Sequence, residues 1–173
     1  MGRFSGRLVT ADFFTHSYRI SAQVNVRGRT LLETLNDRLT SYLELQDAYV
    51  SRISKPGEII GTYNFASLRK DGISFVLLST PDTEVTERPV YTYFTKRPYL
   101  VFVTVPSFEI KGKLLAPAKL DLQVYLVKEA ENFLTLSEAQ AVVTEMPQIS
   151  FSGVTFFVNK ARIELFGVAG RAD

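Results

Sequence analysis

Cysteine and tryptophan are absent from this 173-residue chain, and histidine occurs once. Without cysteine there is no disulfide, no thiolate metal ligand and no cysteine nucleophile. That usage fits a reducing, cytoplasmic setting. A dominant charge is also missing: the net charge is +2, and residues 1–86 hold ten Lys and Arg against nine Asp and Glu, as do the remaining residues. A dedicated nucleic-acid domain carries a basic excess or stripe, and none is visible. Long apolar runs are lacking too. Stretches such as Tyr99 to Val103 fall far short of the ~20 residues of a membrane-spanning helix. Met1-Gly2-Arg3-Phe4-Ser5-Gly6 leads into no signal core, and Gly6 stands where a myristoylation motif needs Ser or Thr. The expectation is a soluble, unprocessed protein.

Catalytic signatures are equally scarce. There is no Gly-rich phosphate loop and no cluster of His, Asp and Glu at metal-ligand spacing. The lone His16 lies between Asp12 and Ser17, but triad partners meet through the fold and not through local adjacency. The chain therefore reads as a non-enzyme without cofactor or metal. One conditional carboxylate site exists: Asp47 and Glu138, if brought together, would form a paired-carboxylate site able to raise one pKa.

What is present points to sheet. Apolar residues make up 46%, with thirteen Phe and eight Tyr, and aromatics favour strands. Comparing the chain with itself then shows a repeat. Tyr18-Arg19-Ile20-Ser21-Ala22-Gln23-Val24 aligns with Phe108-Glu109-Ile110-Lys111-Gly112-Lys113-Leu114, both alternating in the period-2 manner of a half-buried strand. Leu31–Leu35 aligns with Leu122–Leu126, each a Leu pair at helical spacing. Tyr42-Leu43-Glu44-Leu45-Gln46-Asp47-Ala48 aligns with Phe133-Leu134-Thr135-Leu136-Ser137-Glu138-Ala139. In both, the apolar phase slips after the acidic residue, which predicts a β-bulge near Asp47 and near Glu138. Finally, the segment from Leu68 to Val76 aligns with that from Val158 to Phe166. Asp71-Gly72 predicts a tight hairpin turn in the first, and Lys160-Ala161 a weaker one in the second.

The predicted fold class is mainly β with short helices: two tandem small β-barrel or sheet units related by pseudo-twofold symmetry and sharing a core. Residues 1–79 form the first unit with an N-terminal strand near Arg7–Phe14, 80–106 a Pro-punctuated connector, and 107–173 the second unit. The connector holds two strand-like pieces, Val90–Phe94 and Tyr99–Val103, which prolines confine to sheet edges or strand ends. Tyr91, Tyr93, Phe94 and Tyr99 are candidate partner contacts, because alternating aromatics on a strand suit an interface patch. Arg69, Lys70, Asn159 and Lys160 occupy matching turn tips and are candidate nucleic-acid contacts.

Each unit resembles an Sm-like small barrel in its Leu43-Glu44-Leu45-Gln46-Asp47-Ala48 strand and later Leu68-Arg69-Lys70-Asp71-Gly72-Ile73 segment. The chain also resembles bacterial proteins of the domain-of-unknown-function kind, in the Leu-rich turn followed by Phe133-Leu134-Thr135-Leu136. The Sm-like resemblance implies RNA contact through the matching turn tips. The residues themselves favour a non-catalytic protein-interaction or scaffold module, self-associating or bound to a protein partner. A module binding RNA, single-stranded DNA or a small ligand is the alternative.

Overall fold

Alternating apolar residues set most of the strands, as in β2 (Tyr18–Asn25), where every second residue from Ile20 to Val24 is buried. A computed structural model of the chain describes residues 6–80, 96–128 and 131–171. The first five strands are β1 (Leu8–Phe14), β2, β3 (Tyr42–Arg52), β4 (Lys55–Arg69) and β5 (Phe75–Leu78). Helix α1 (Leu31–Asn36) separates β2 from β3, and a 3-10 turn, Lys70–Gly72, separates β4 from β5. The same order recurs with β6 (Lys96–Val105), β7 (Phe108–Pro117), α2 (Leu122–Lys128), β8 (Phe133–Val143), β9 (Met146–Asn159), a 3-10 turn at Lys160–Arg162, and β10 (Leu165–Arg171).

The ten strands of the described residues form one antiparallel sheet in the order β10-β6-β7-β8-β9-β5-β1-β2-β3-β4. Among the described residues the chain is thus mainly β with two short α-helices, as its composition suggests. The ladder registers also recur. Phe14 faces Arg19 between β1 and β2, and Thr104 faces Glu109 between β6 and β7. Phe75 faces Phe14 between β5 and β1, and Leu165 faces Thr104 between β10 and β6. Leu43 faces Leu68 between β3 and β4, and Leu134 faces Val158 between β8 and β9.

Both predicted bulges are present. Between Ser21 and Gln23 the β2–β3 register slips, as does β7–β8 between Lys111 and Lys113. The extra residues are Asp47 and Glu138, with φ of 49° and 48°. A left-handed residue of this kind lets the strand turn its apolar phase over while staying in the sheet.

The helices are short and need tertiary packing to persist. Thr30 caps α1 in a capping box with Glu33, and Leu31 and Leu35 are buried beneath it. Asp121 holds the start of α2 by accepting from the N–H groups of Gln123 and Val124. Here Val124 and Val127 remain exposed, so α2 lies more shallowly than α1.

One sequence expectation is corrected. Asp71-Gly72 does not make a hairpin. Gly72 stays out of the left-handed region, its segment forms a 3-10 turn, and β5 pairs with β1 and β9 in place of β4. Phe75-Val76-Leu77-Leu78 is buried at every position, so this strand needs neighbours on both faces and both edges. The ten strands of the described residues form one continuous open sheet, in which the fourth strand of the second set, β9, pairs with the fifth strand of the first, β5.

The core follows from that junction. Two clusters of buried residues interlock across it. Phe14, Ile53, Phe75 and Leu77 join the cluster built on β6 to β9. Phe133 and Phe157 join the cluster built on β1 to β4. Because successive strand residues point to opposite faces, β5 gives Phe75 and Leu77 to one cluster and Val76 and Leu78 to the other. Phe75 stacks on Phe14 at 4.4 Å and on Phe156 at 5.1 Å, and meets Phe108 edge-on at 5.0 Å.

Candidate interaction edges and the junction cleft

An antiparallel sheet that does not close leaves two rows of outward backbone groups. Among the described residues those rows belong to β4 and β10. Strand β4 is fifteen residues long and carries Ile59, Ile60, Tyr63 and Phe65 as exposed large apolar residues, Phe65 at 80% exposure. On β10, Leu165 is 55% exposed. Proteins usually shorten, charge or cover an edge of this kind, and β4 is neither short nor strongly charged. The matching end of β9, Phe156–Val158, is buried because β5 covers it.

The aromatic candidates fall elsewhere. Tyr91, Tyr93 and Phe94 lie outside the described residues, as does the expected Val90–Phe94 strand. Tyr99 is within β6 and is buried, and its hydroxyl donates to the carbonyls of Pro117 and Ala118 at 2.9 and 2.8 Å. It shares the inward phase of Val101, Val103 and Val105, so it is a core residue and not a partner contact. Pro98 is the third residue of β6, facing Leu115 of β7 and lying beyond the last β6–β10 pair.

At the junction, the loop after α1, the two 3-10 turns and α2 surround a cleft of about 420 Å³, lined among others by Asp37, Arg38, Lys70, Asn132, Asn159 and Lys160. Three of the four nucleic-acid candidates therefore meet at one place, while Arg69 sits exposed at the end of β4. Lys70 and Asn159 are internally engaged. Lys70 is 7% exposed, and its ammonium donates to the carbonyls of Thr34 and Asp37 and to Thr40 Oγ1, all within 2.9 Å. Burial pushes that ammonium down, and Asp37 opposes the shift. Asn159 is buried, donating from Nδ2 to the Ile73 carbonyl and accepting from Ala161 N–H. These two side chains brace the turns and the β9–β5 junction, so neither presents its polar head freely to a ligand. Lys160 is half-buried.

Asn36, absent from the sequence-based candidates, ties the halves together. Its Oδ1 accepts from the N–H groups of Asn132 and Phe133 at 3.1 and 2.9 Å. Nothing local in the sequence marks that role, because the partners are almost a hundred residues away.

Asp47 and Glu138 are both exposed and lie on β3 and β8, which are not neighbours in the sheet. Glu138 pairs with Lys113 at 2.6 Å. The carboxylate site that depended on their proximity is not formed. His16 Nδ1 lies 2.9 Å from Ser17 Oγ, but the Asp12 carboxylate is held by Arg19 and Ser21. Among the described residues no group of three or more His, Asp or Glu is placed to hold a metal ion, and no helix is long and apolar enough to cross a membrane.

Asp37 gives the cleft rim a pH response. The Leu39 N–H and then the Arg29 guanidinium, at 2.9 Å each, hold its carboxyl below the ordinary 3.8. A depressed folded-state pKa contributes stability above the unfolded value, lost as pH falls through the folded one. Asp37→Asn should therefore lower the melting temperature at pH 6, with the gap to the parent closing as both are acidified below about pH 3. Thermal melts across pH check this, and a gap constant with pH would contradict it.

Comparison with protein-family models, curated proteins and solved structures finds no match to this chain.

Proposed function

We propose that the chain is a non-catalytic protein-interaction or scaffold module that works through its open sheet edges. One observation carries this reading: a fifteen-residue edge strand with Ile59, Ile60, Tyr63 and Phe65 exposed along it. Pairing with a further strand would satisfy its outward backbone groups and cover those side chains, the physics of strand addition. We also infer that the module arose as a duplicated β-unit. The repeated element order and the repeated ladder registers support that inference. We propose likewise that each unit is related to the Sm-like small barrels.

Phe65→Lys with Leu165→Lys tests the reading. Both positions are exposed, so the fold should survive within about 0.5 kcal/mol, while a lysine on each edge discourages strand pairing. The parent chain should sediment above its monomer mass of 19.5 kDa or retain a defined protein partner, and the variant should do neither. A parent that is strictly monomeric and holds no partner, or a variant indistinguishable from it, overturns the reading.

A second reading, binding of RNA, single-stranded DNA or a small ligand, draws on the meeting of Lys70, Asn159 and Lys160 at the cleft. It requires salt-dependent binding that is lost on charge reversal at Arg69 and Lys160. Flat titrations at low salt would remove its nucleic-acid form.

A further inference from the structure

We propose that a second cavity, set where the two 3-10 turns meet the β1–β2 turn, binds one small oxyanion: inorganic phosphate or the phosphoryl group of a small phosphate monoester. The site is independent of the sheet edges and of the junction cleft. Its cavity holds about 280 Å³ and is lined among others by Thr15, His16, Ser17, Ser74 and Arg162, with no Asp or Glu among the described residues of its wall. That volume lies just below the ~300–1,000 Å³ of sites for drug-sized ligands, which suits a compact anion.

Ser74 is the observation that points to a ligand. It is 2% exposed and lines the cavity. Its N–H donates to the Phe14 carbonyl at 2.7 Å, and its own carbonyl accepts from the Asn159 N–H at 3.0 Å. Among the described residues its hydroxyl has no hydrogen-bond partner. A buried hydroxyl left unpaired is costly, and a bound acceptor removes that cost. Arg162 supplies the charge. Its Nε donates to the Asp71 carbonyl at 2.6 Å, which fixes the plane of the guanidinium. The two terminal nitrogens of the fork remain, and among the described residues neither meets a carboxylate. A planar fork held in this way suits two oxygens of a phosphoryl group.

The rest of the wall is polar and pinned in place. Thr15 Oγ1 accepts from the Tyr18 N–H at 3.0 Å, Ser107 Oγ donates to the His16 carbonyl at 2.9 Å, and the Ser17 carbonyl accepts from the Ile53 N–H at 3.0 Å. The β1–β2 turn is thereby tied to β7, to the end of β3 and to itself. A recess that is already formed spends little on ordering when a ligand enters. The set is also not duplicated. In the aligned segments Gly72 stands where the second has Arg162, and Ser74 where it has Glu164. Each half carries one of the two groups, and the β9–β5 junction brings them to one cavity. One anion per chain is the expected stoichiometry, and the site leaves no mark in the repeat.

Titration of the isotope-labelled full chain with inorganic phosphate, followed by amide NMR at about 0.15 M chloride, tests the site. Phosphate should shift the amides of residues 15–18, Ser74 and Arg162 saturably, at one anion per chain. Arg162→Gln should weaken binding about tenfold or more, and Ser74→Ala about threefold to tenfold. Ser74→Ala removes only the hydroxyl, so it decides the matter even if Arg162→Gln loosens its turn. Lys111→Gln, an equal loss of charge at an exposed position of β7, should leave binding unchanged. Glycerol phosphate is the second probe. Tighter binding than phosphate assigns the site to a monoester, and equal or weaker binding assigns it to the free anion. Either outcome supports the proposal. No saturable shift with either probe overturns it, including where an RNA oligonucleotide produces one. Binding that survives both substitutions, or that falls equally with Lys111→Gln, overturns it as well.

Discussion

Phe75→Ala should cost the fold about 3–5 kcal/mol, the range for deleting a fully buried aromatic ring. Phe75 is 0% exposed and packs against Phe14, Phe108 and Phe156 from three other strands. It sits on the short β5, which is hydrogen-bonded to β1 on one side and β9 on the other. The cavity therefore opens where the two halves of the sheet join, and the rings around it come from strands that cannot all move in together. Urea unfolding should show a lower midpoint, with both halves weakened. Phe65→Ala serves as the control: an equally large aromatic at 80% exposure should change stability by no more than about 0.5 kcal/mol in the isolated chain. A loss below about 1 kcal/mol at Phe75 would show that the junction is not packed as described.

Lys70→Met should destabilise the chain by about 2–3 kcal/mol, because it keeps most of the aliphatic stem and removes a buried donor that serves three acceptors. The Thr34 and Asp37 carbonyls stand at and just beyond the end of α1, and Thr40 Oγ1 lies in the loop that follows. A cation there satisfies carbonyls that a helix end leaves without intrahelical partners and opposes the negative end of its dipole. Helix α1 has only six residues, too few to persist without such support. The loss should appear as faster amide exchange in α1 as well as a lower unfolding midpoint. Lys70→Met at parental stability would mean that the three acceptors find other partners.

These two positions also show how far the sequence could be read. The strands and bulges were legible because they are written locally: Leu43 and Leu45 share one phase, Ala48 and Val50 the other, and a single extra residue reconciles them. The Leu31 and Leu35 pair marked its helix in the same local way. Asp71-Gly72 misled because the dipeptide suits a 3-10 turn as well as a hairpin, and the choice depends on where β5 finds its partners. A usable signal was present in the uninterrupted Phe75-Val76-Leu77-Leu78 run, since four consecutive apolar residues suit a strand buried on both faces. The junction of β9 with β5 was not legible, because strand partnership over such separations leaves no periodic trace. Nor was the burial of Lys70, whose charge argued for a surface position until its three acceptors could be seen. Tyr99 erred in the opposite direction: its aromatic neighbours suggested an interface, while its alternation with Val101 and Val103 placed it inside.

The open edges of the sheet carry the functional account, and amide hydrogen exchange along them tests it most directly. The measurement compares the outward-facing amides at the end of β4, residues 65–69, and in β10, residues 165–168, at low and high concentration of the full chain. The account predicts that they become protected as concentration rises, approaching the protection of β9 and β5 at the internal junction. Rapid exchange of both edges at every concentration, with or without a bound protein, would contradict it.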